Sequence, residues 1–331
     1  MRIAILTTSY PAFPGDPSGH FVETEARSLA RDHEVVVVTA SADETSERGQ
    51  GSVVEAGGVT VLRIDGGTAF GWPGVAARVH ERPARIVSAA VWIWRARAAL
   101  RSLPPFDGVV AHWALPCGFP LAAACPRTTS ASLEIVSHGA DVRLLTRLPW
   151  VARRAIVSRL LRDATRWRFV SHALQGDLAR TIDVDLNERL ESIALVRPAA
   201  IEVPDVSASA SIRRAQRGRK HEHARMVVCV GRLVTGKRFD RALAHVAHER
   251  TVHGAGPTRV VIVGDGPERA RLEAYARDLG IEAHFVGRTS RDVALAWIGA
   301  ADALLHASHS EGLSTVVREA EALGVPVLVV A

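Results

Sequence analysis

Two carboxylates eight residues apart, Glu311 and Glu319, bracket the run Gly312, Leu313, Ser314 in "SHSEGLSTVVREAEALG". Ser314 or Thr315 can cap a helix reaching about Leu323, with Gly324 closing it. Glu311 then sits in the loop before the helix and Glu319 one to two turns inside it. The free N–H groups of Gly312, Leu313 and Ser314 open onto the same space, a place that suits an anionic phosphate or sugar hydroxyls. A second cluster lies in "VGRLVTGKRFD", residues 230–240. The chain has 41 basic residues but only two lysines, Lys220 and Lys237. Here Arg232 and Lys237 flank a turn at Gly236 just after a strand, with Gly231 permitting close backbone approach. A planar fork and a compact point charge on one loop can grip a diphosphate. The ordinary alternatives are a surface helix carboxylate for Glu319 and solvated loop cations for Arg232 and Lys237.

Three other strand ends carry polar or flexible residues. "VIVGDGPERARLEAYA" puts Gly264 and Gly266 at a tight turn with Pro267 at the expected first helical position, although a third glycine of the dinucleotide fingerprint is lacking. "SYPAFPGDPSGHF" follows the first strand with a Pro/Gly loop ending in Gly19, and "VSHGADV" places His138 beside Gly139 with Asp141 nearby. A lone histidine is more often structural, but a strand terminus is where a functional one is found. "IDVDL" imitates an Asp-x-Asp metal motif at Asp183 and Asp185, yet it falls between a helix and the start of a strand and reads as a surface loop.

These residues need elements to hold them. Short β-branched runs alternate with helical patterns throughout: "RIAILT", "EVVVVT", "VTVLRI", "DGVVAH", "SLEIVS", "WRFVS" and "SIALV", then "RMVVCVGRL", "TRVVIVGDG", "EAHFVGR", "DALLHAS" and "VPVLVV". That alternation is the pattern of βαβ units and parallel sheets. Between about 200 and 224 the chain is polar, Ser-rich and basic without apolar periodicity, as a linker would be, and Lys220 sits in it as a solvated charge. The expected organisation is therefore an N-terminal domain over 1–198, a linker over 199–224 and a C-terminal domain over 225–331. In doubly wound sheets ligands bind outside the carboxyl ends of the strands, where the clusters above fall.

Composition narrows the function classes. With 47% apolar and 23% charged residues in 331, the chain is an ordinary globular protein of two domains, and its apolar runs are far short of the roughly 18 residues needed to span a bilayer. The start reads as a buried strand and loop, not a signal peptide. Three scattered cysteines make neither a zinc site nor a disulfide framework and suit a reducing, cytoplasmic setting. Residues 143–169 hold eight arginines against Asp163 alone, with Trp150 and Trp167 interleaved. A solvated face, an anionic lipid surface and a nucleic-acid patch compete for that stretch, and no nucleic-acid module accompanies the charge. A dehydrogenase is disfavoured because no Gly-x-Gly-x-x-Gly follows the first strand.

Together "GRLVTGKR", "VGDGPER", "FVGR" and "SHSEGLSTVVREAEALGVPVL" resemble the C-terminal domain of family 4 glycosyltransferases of the GT-B fold, with the spacing of all four blocks matching. "SYPAFPGDPSGHFVETEARSLARDHEVVVVTA", "HWALPCGFPLAAA", "SHGAD" and "FVSHALQGDL" resemble that family's N-terminal domain. The resemblance implies two Rossmann-like α/β domains facing a cleft, and a retaining transfer of a sugar from a UDP- or GDP-sugar donor without a metal or other cofactor. It implies that Arg232 and Lys237 neutralise the departing diphosphate, with Gly231, Gly264 and Gly266 in the donor site. Glu311 would hold donor-sugar hydroxyls with the N–H groups of Gly312, Leu313 and Ser314, Glu319 would accept from the ribose, His138 would contact the donor sugar across the cleft, and Gly19 would bring backbone N–H toward the phosphates.

Leu313 and Ser314 replace the aromatic and glycine common after that Glu-Gly, and Glu321 stands where a Met is usual, on the solvent side. The chain ends at Ala331 where family members continue with a further strand, a glycine-rich loop and a helix, so the C-terminal domain is expected to be truncated. The acceptor is unspecified. "RIVSAAVWIWRARAALR" and the 143–169 stretch suit a lipid-linked or polysaccharide acceptor and peripheral contact with an anionic membrane at its inner face. The other readings are a sugar-nucleotide 2-epimerase of the same architecture and a non-catalytic sugar-nucleotide-binding fragment.

Overall fold

The structure is a computed structural model that describes residues 1–41, 52–56, 58–72, 74–215, 224–252, 256–308 and 313–330. It divides into two units, one of residues 1–12 and 18–200, the other of 13–17 and 201–331.

The strands of the first unit are β1 (Arg2–Leu6), β2 (Glu34–Ser41), β3 (Ser52–Ala56), β4 (Val59–Asp65), β5 (Phe106–His112), β6 (Arg127–Ser137), β7 (Arg166–Phe169) and β8 (Ala194–Val196). They form one sheet in the order β3-β4-β2-β1-β5-β6-β7-β8. All neighbours are parallel except β3, which pairs antiparallel with β4 and has no counterpart in the sequence reading. The central strands are buried on both faces, as a parallel sheet between helices requires. In β2, every residue after Glu34 is buried. The helices are α1 (His20–Leu29), α2 (Val75–Glu81), α3 (Arg85–Arg101), α4 (Ala140–Arg147), α5 (Trp150–Asp163), α6 (His172–Ala179) and α7 (Val184–Ile193). Helices α3 to α7 cover one face with the larger core around Trp92, Phe106 and Trp167, while α1 covers the other with Val22 and Ala26 against Ile5, Val35 and Val37.

In the second unit β9 (Arg225–Val230), β10 (Thr258–Val263), β11 (Ala283–Gly287), β12 (Ala303–His306) and β13 (Val327–Val329) make a five-stranded parallel sheet in the order β11-β10-β9-β12-β13. Helices α9 (Phe239–Val252) and α10 (Arg269–Asp278) pack on one face, and α8 (Ser207–Ala215), α11 (Arg291–Ala300) and α12 (Thr315–Ala322) on the other. The stretch read as linker thus contains a helix. Val206 and Ala210 are buried beside Gly299 of α11, where an added Cβ would come within 3.2 Å of Val206. Arg213 also lies over the Trp297 ring of α11, 5.2 Å from its centroid, and the Ser, Ala and Arg that make up most of α8 give no apolar period. Helix α10 begins two residues after Pro267, not at it.

Candidate functional site

In the second unit, the loop after β9 and the loop after β10 are laced together by backbone. Gly231 N–H donates to Val263 O at 2.9 Å, Leu233 N–H to Asp265 O at 2.9 Å, and Glu268 N–H to Leu233 O at 3.0 Å. A Cβ on Gly264 would lie 1.9 Å from Gly231 O, and one on Gly266 would lie 2.4 Å from Leu233 O, both at positive φ. The glycines of "GDG" are therefore demanded by the crossing of two loops. This lacing fixes the loop that carries Arg232, which is exposed, and Lys237, which ends a short 3₁₀ turn over Thr235–Lys237 and is half-buried. The lysine stem lies over Gly231, where a Cβ would stand 3.6 Å from Lys237 Cε. Ser308, just past β12, donates to Gly236 O at 3.4 Å, and Lys237, His306 and Ser308 line one narrow pocket at the carboxyl ends of β9 and β12.

The chain then runs to α12. Glu311 and Gly312 lie outside the described residues. Leu313 is exposed, and Ser314 occupies the position before the helix without capping it. Its hydroxyl is buried and has no hydrogen-bond partner, although the residue is only 9% exposed. The first-turn N–H groups of α12, which have no intrahelical acceptor, are thus uncapped by that side chain. Gly324 closes the helix at φ 69° as expected. Glu319, one turn in, is only 5% exposed, so it is no surface carboxylate. Its Oε1 accepts from Arg291 Nε at 2.9 Å and Nη2 at 2.8 Å. Arg291 begins α11 and also donates to Glu202 O at 2.5 Å, while its backbone N–H donates to Gly15 O at 2.7 Å. Arg291 had no sequence signal, being one arginine among many and 28 residues from Glu319.

In the first unit Gly19 precedes α1 at φ 69°, and a Cβ there would meet Ser9 O at 2.2 Å. Backbone crossing again accounts for the glycine. His138 follows β6 and stands against His112, the last residue of β5, with His112 Nδ1 and His138 Nε2 3.0 Å apart. Asp141 holds the turn: its carboxylate accepts from the backbone N–H of His138 (3.2 Å), Gly139 (3.0 Å) and Ala114 (2.8 Å). Behind His112 lies a buried charge cluster. Arg168 pairs with Glu25 and, at 2.7 Å, with Glu134, and the other Glu25 oxygen is 3.7 Å from His112 Nε2. Burial first, and then the Arg168 charge, holds His112 well below the usual histidine range; burial and the neighbouring imidazole do the same for His138. The sequence pointed to His138 but not to His112, Glu25 or Arg168. A polar residue ending the apolar strand "DGVVAH" was the one available signal.

The remaining candidates separate clearly. Arg154 pairs with both Asp183 and Asp185 at the start of α7, so "IDVDL" is an ion-paired helix start. The three cysteines are buried and unpaired, with Cys125 and Cys229 pushed up to about 12 by burial. No described helix is long and apolar enough to cross a membrane.

Residues 212–331 match the family described as Glycosyl transferases group 1. TuaC of Bacillus subtilis, a glycosyltransferase named for teichuronic acid biosynthesis, is 30% identical over 234 residues, 69% of this chain and 54% of its own length. The chain thus spans about half of that curated relative. Among solved structures, the E. coli trehalose-6-phosphate protein bound with UDP-2-fluoro glucose superposes with a TM-score of 0.71 at 15% identity, over 99% of this chain and 84% of that one. The sucrose-phosphate synthase of Thermosynechococcus elongatus gives 0.68 at 18% identity, over 99% and 80%. Anabaena HepE in complex with UDP and glucose gives 0.63 at 17% identity, over 99% and 80%. Two Rossmann-like sheets, the strand-end loops and these likenesses agree: the chain has the GT-B fold, and its residues 212–331 match the glycosyl transferases group 1 family.

Proposed function

We propose that the protein is a retaining glycosyltransferase that moves a sugar from a UDP- or GDP-sugar to an acceptor hydroxyl without a metal ion. The observation that carries this reading is the end of α12: a buried, unpartnered Ser314 hydroxyl at an uncapped helix start, with buried Glu319 one turn inside. Lys237 and Ser308 line the neighbouring strand ends of the same sheet. An anion satisfies the orphaned donors. When the donor C1–O bond breaks, the acceptor oxygen bonds to C1 and its proton passes to the departing nucleoside diphosphate; Arg232 and Lys237 stabilise the charge that grows on that group. Glu319 accepts from the ribose, Glu311 from the donor sugar, and His138 contacts that sugar. No side chain is assigned as nucleophile. UDP-containing complexes of HepE and of the E. coli protein support a uridine donor as the first to test, and the teichuronic acid in the name of TuaC supports a polysaccharide acceptor.

The acceptor is met at the inner face of an anionic membrane. Helix α3 favours this over the 143–169 stretch. In the latter, Trp167 and Arg168 are buried and Arg153, Arg154 and Arg159 are tied to carbonyls or carboxylates. Helix α3 exposes Ile86, Val87, Val91 and Trp94, the last 71% exposed, and carries four arginines and no acid, although Arg85 and Arg95 pair with Glu81 and Asp65, so its exposed apolar residues are what favour it. Those exposed apolar residues are what would enter a lipid interface, with the arginines meeting anionic headgroups. The test is transfer of labelled sugar from each donor into a glycan or lipid fraction with EDTA present. Incorporation that needs added Mg²⁺ or Mn²⁺ contradicts the reading, as does conversion of the donor to its 2-epimer.

A further inference from the structure

The ends of β5 and β6 bring two imidazoles together, and the assigned role of His138 leaves the other unexplained. His112 is fully buried, at the end of a strand whose neighbours are apolar. Its ring and that of His138 are nearly coplanar, 15° apart, with centroids separated by 5.2 Å and nitrogens by 3.0 Å. That is an edge-to-edge N–H···N hydrogen bond, which requires one bare nitrogen and one protonated one. The far nitrogen of His112 decides which is which. Nε2 faces the Glu25 carboxylate at 3.7 Å, and that carboxylate is held by Arg168, itself paired with Glu134. A carboxylate across from Nε2 favours a proton there. A neutral His112 then has a bare Nδ1, and only a protonated His138 Nε2 can bond to it.

We propose that His112 is a positioning residue that fixes His138 in its Nε2–H tautomer, so that His138 offers the lone pair of Nδ1 and accepts a hydrogen bond from a hydroxyl of the donor sugar. Glu25 acts on His112 by charge across 3.7 Å, with His112 Nε2 otherwise unpartnered, and His112 acts on His138 by the hydrogen bond. Asp141 completes the arrangement by holding the backbone of His138 and Gly139, and Phe21 and Trp113 wall the ring at centroid distances of 4.8 and 5.1 Å. The groups facing the pair are Glu25 of α1, Glu134 of β6, Asp141 of α4 and Arg168 of β7. Glu25 and Asp141 favour a charged ring; Arg168, the second imidazole and burial oppose it, so both rings stay neutral.

The sugar-contact half of this inference rests on the proposed function, whereas the tautomer does not. The experiment is therefore long-range ¹H–¹⁵N correlation of the histidine side chains in the full chain at pH 7, with His112→Leu and His112→Asn alongside. His138 is expected to show a protonated Nε2 and a bare Nδ1. His112→Asn, whose Oδ1 can accept in place of Nδ1, keeps that pattern; His112→Leu loses it. In the transfer assay, His112→Leu lowers kcat/KM for the donor about tenfold or more, the loss of one hydrogen bond, while affinity for the free nucleoside diphosphate is unchanged. His112→Asn recovers most of it. A proton on His138 Nδ1 in the wild type overturns the proposal, and so does equal impairment of both variants. Should His112→Leu fail to fold, the wild-type and His112→Asn spectra decide. Should no donor be turned over, the proposed function fails while the spectra still judge the histidine pair.

Discussion

Lys237→Ala removes a compact charge from a loop whose backbone is locked by the lacing to "GDG", so the loop should keep its place when the charge and its stem are lost. Turnover is expected to fall about a hundredfold or more, the usual size for a group aimed at developing charge. A rate near that of the parent chain returns Lys237 to an ordinary loop cation. Glu319 behaves differently because it is both a candidate ribose acceptor and the partner of Arg291. Glu319→Ala leaves a mostly buried guanidinium without its carboxylate and is expected to reduce stability by about 3 kcal/mol, in addition to weakening the nucleotide. A urea midpoint equal to that of the parent contradicts the pairing. These residues also mark the limit of sequence reading. Lys237 stood out because lysine is rare in this chain, and Glu319 because of its spacing. Arg291, Arg168 and Glu25 could not, since Glu25 and Arg168 are 143 residues apart and meet only once the sheet has formed.

At the scale of elements, the strands were legible because parallel strands buried on both faces are continuous apolar runs, and the strand-end loops followed from them. The antiparallel edge strand β3 and helix α8 were not, because a five-residue edge strand and a helix built mostly of Ser, Ala and Arg leave no apolar period to read. The glycines carry a second reason besides the expected approach to phosphate: they sit where two backbone segments cross. Gly264→Ala should accordingly destabilise the second unit by about 2 kcal/mol or more, through a forced positive φ and a Cβ against Gly231 O, with or without ligand. Unchanged stability with lost donor affinity restores a direct binding role. For α3, Trp94→Ser should sharply lower co-sedimentation with anionic vesicles at low salt, whereas Arg162→Ser in α5 should not. Equal recovery on neutral and anionic vesicles rules out the electrostatic docking.

For the whole molecule, the neutral histidine pair couples folding to pH. Both rings titrate below the ordinary value of 6.5 in the folded chain, so an acidifying solution protonates the unfolded chain first. Their contribution is fully present above about pH 6.5 and is lost as the pH falls below it. His112→Leu should therefore flatten the pH dependence of the urea midpoint between pH 7 and 4.5, and parallel curves contradict this. The two-unit α/β plan was readable from the order of apolar runs, and the likeness of the strand-end blocks named the fold. What no run of residues shows is the chemistry at the ends of those strands. The measurement that reaches it most directly is a titration of thermal stability with UDP-, GDP- and ADP-sugars in the presence of EDTA. One UDP- or GDP-sugar should stabilise the chain, by about 2.7 kcal/mol at a hundred times its dissociation constant, and Lys237→Ala should abolish the gain. Stabilisation by none of them, or only when a divalent metal is restored, contradicts metal-free binding of a nucleotide-sugar.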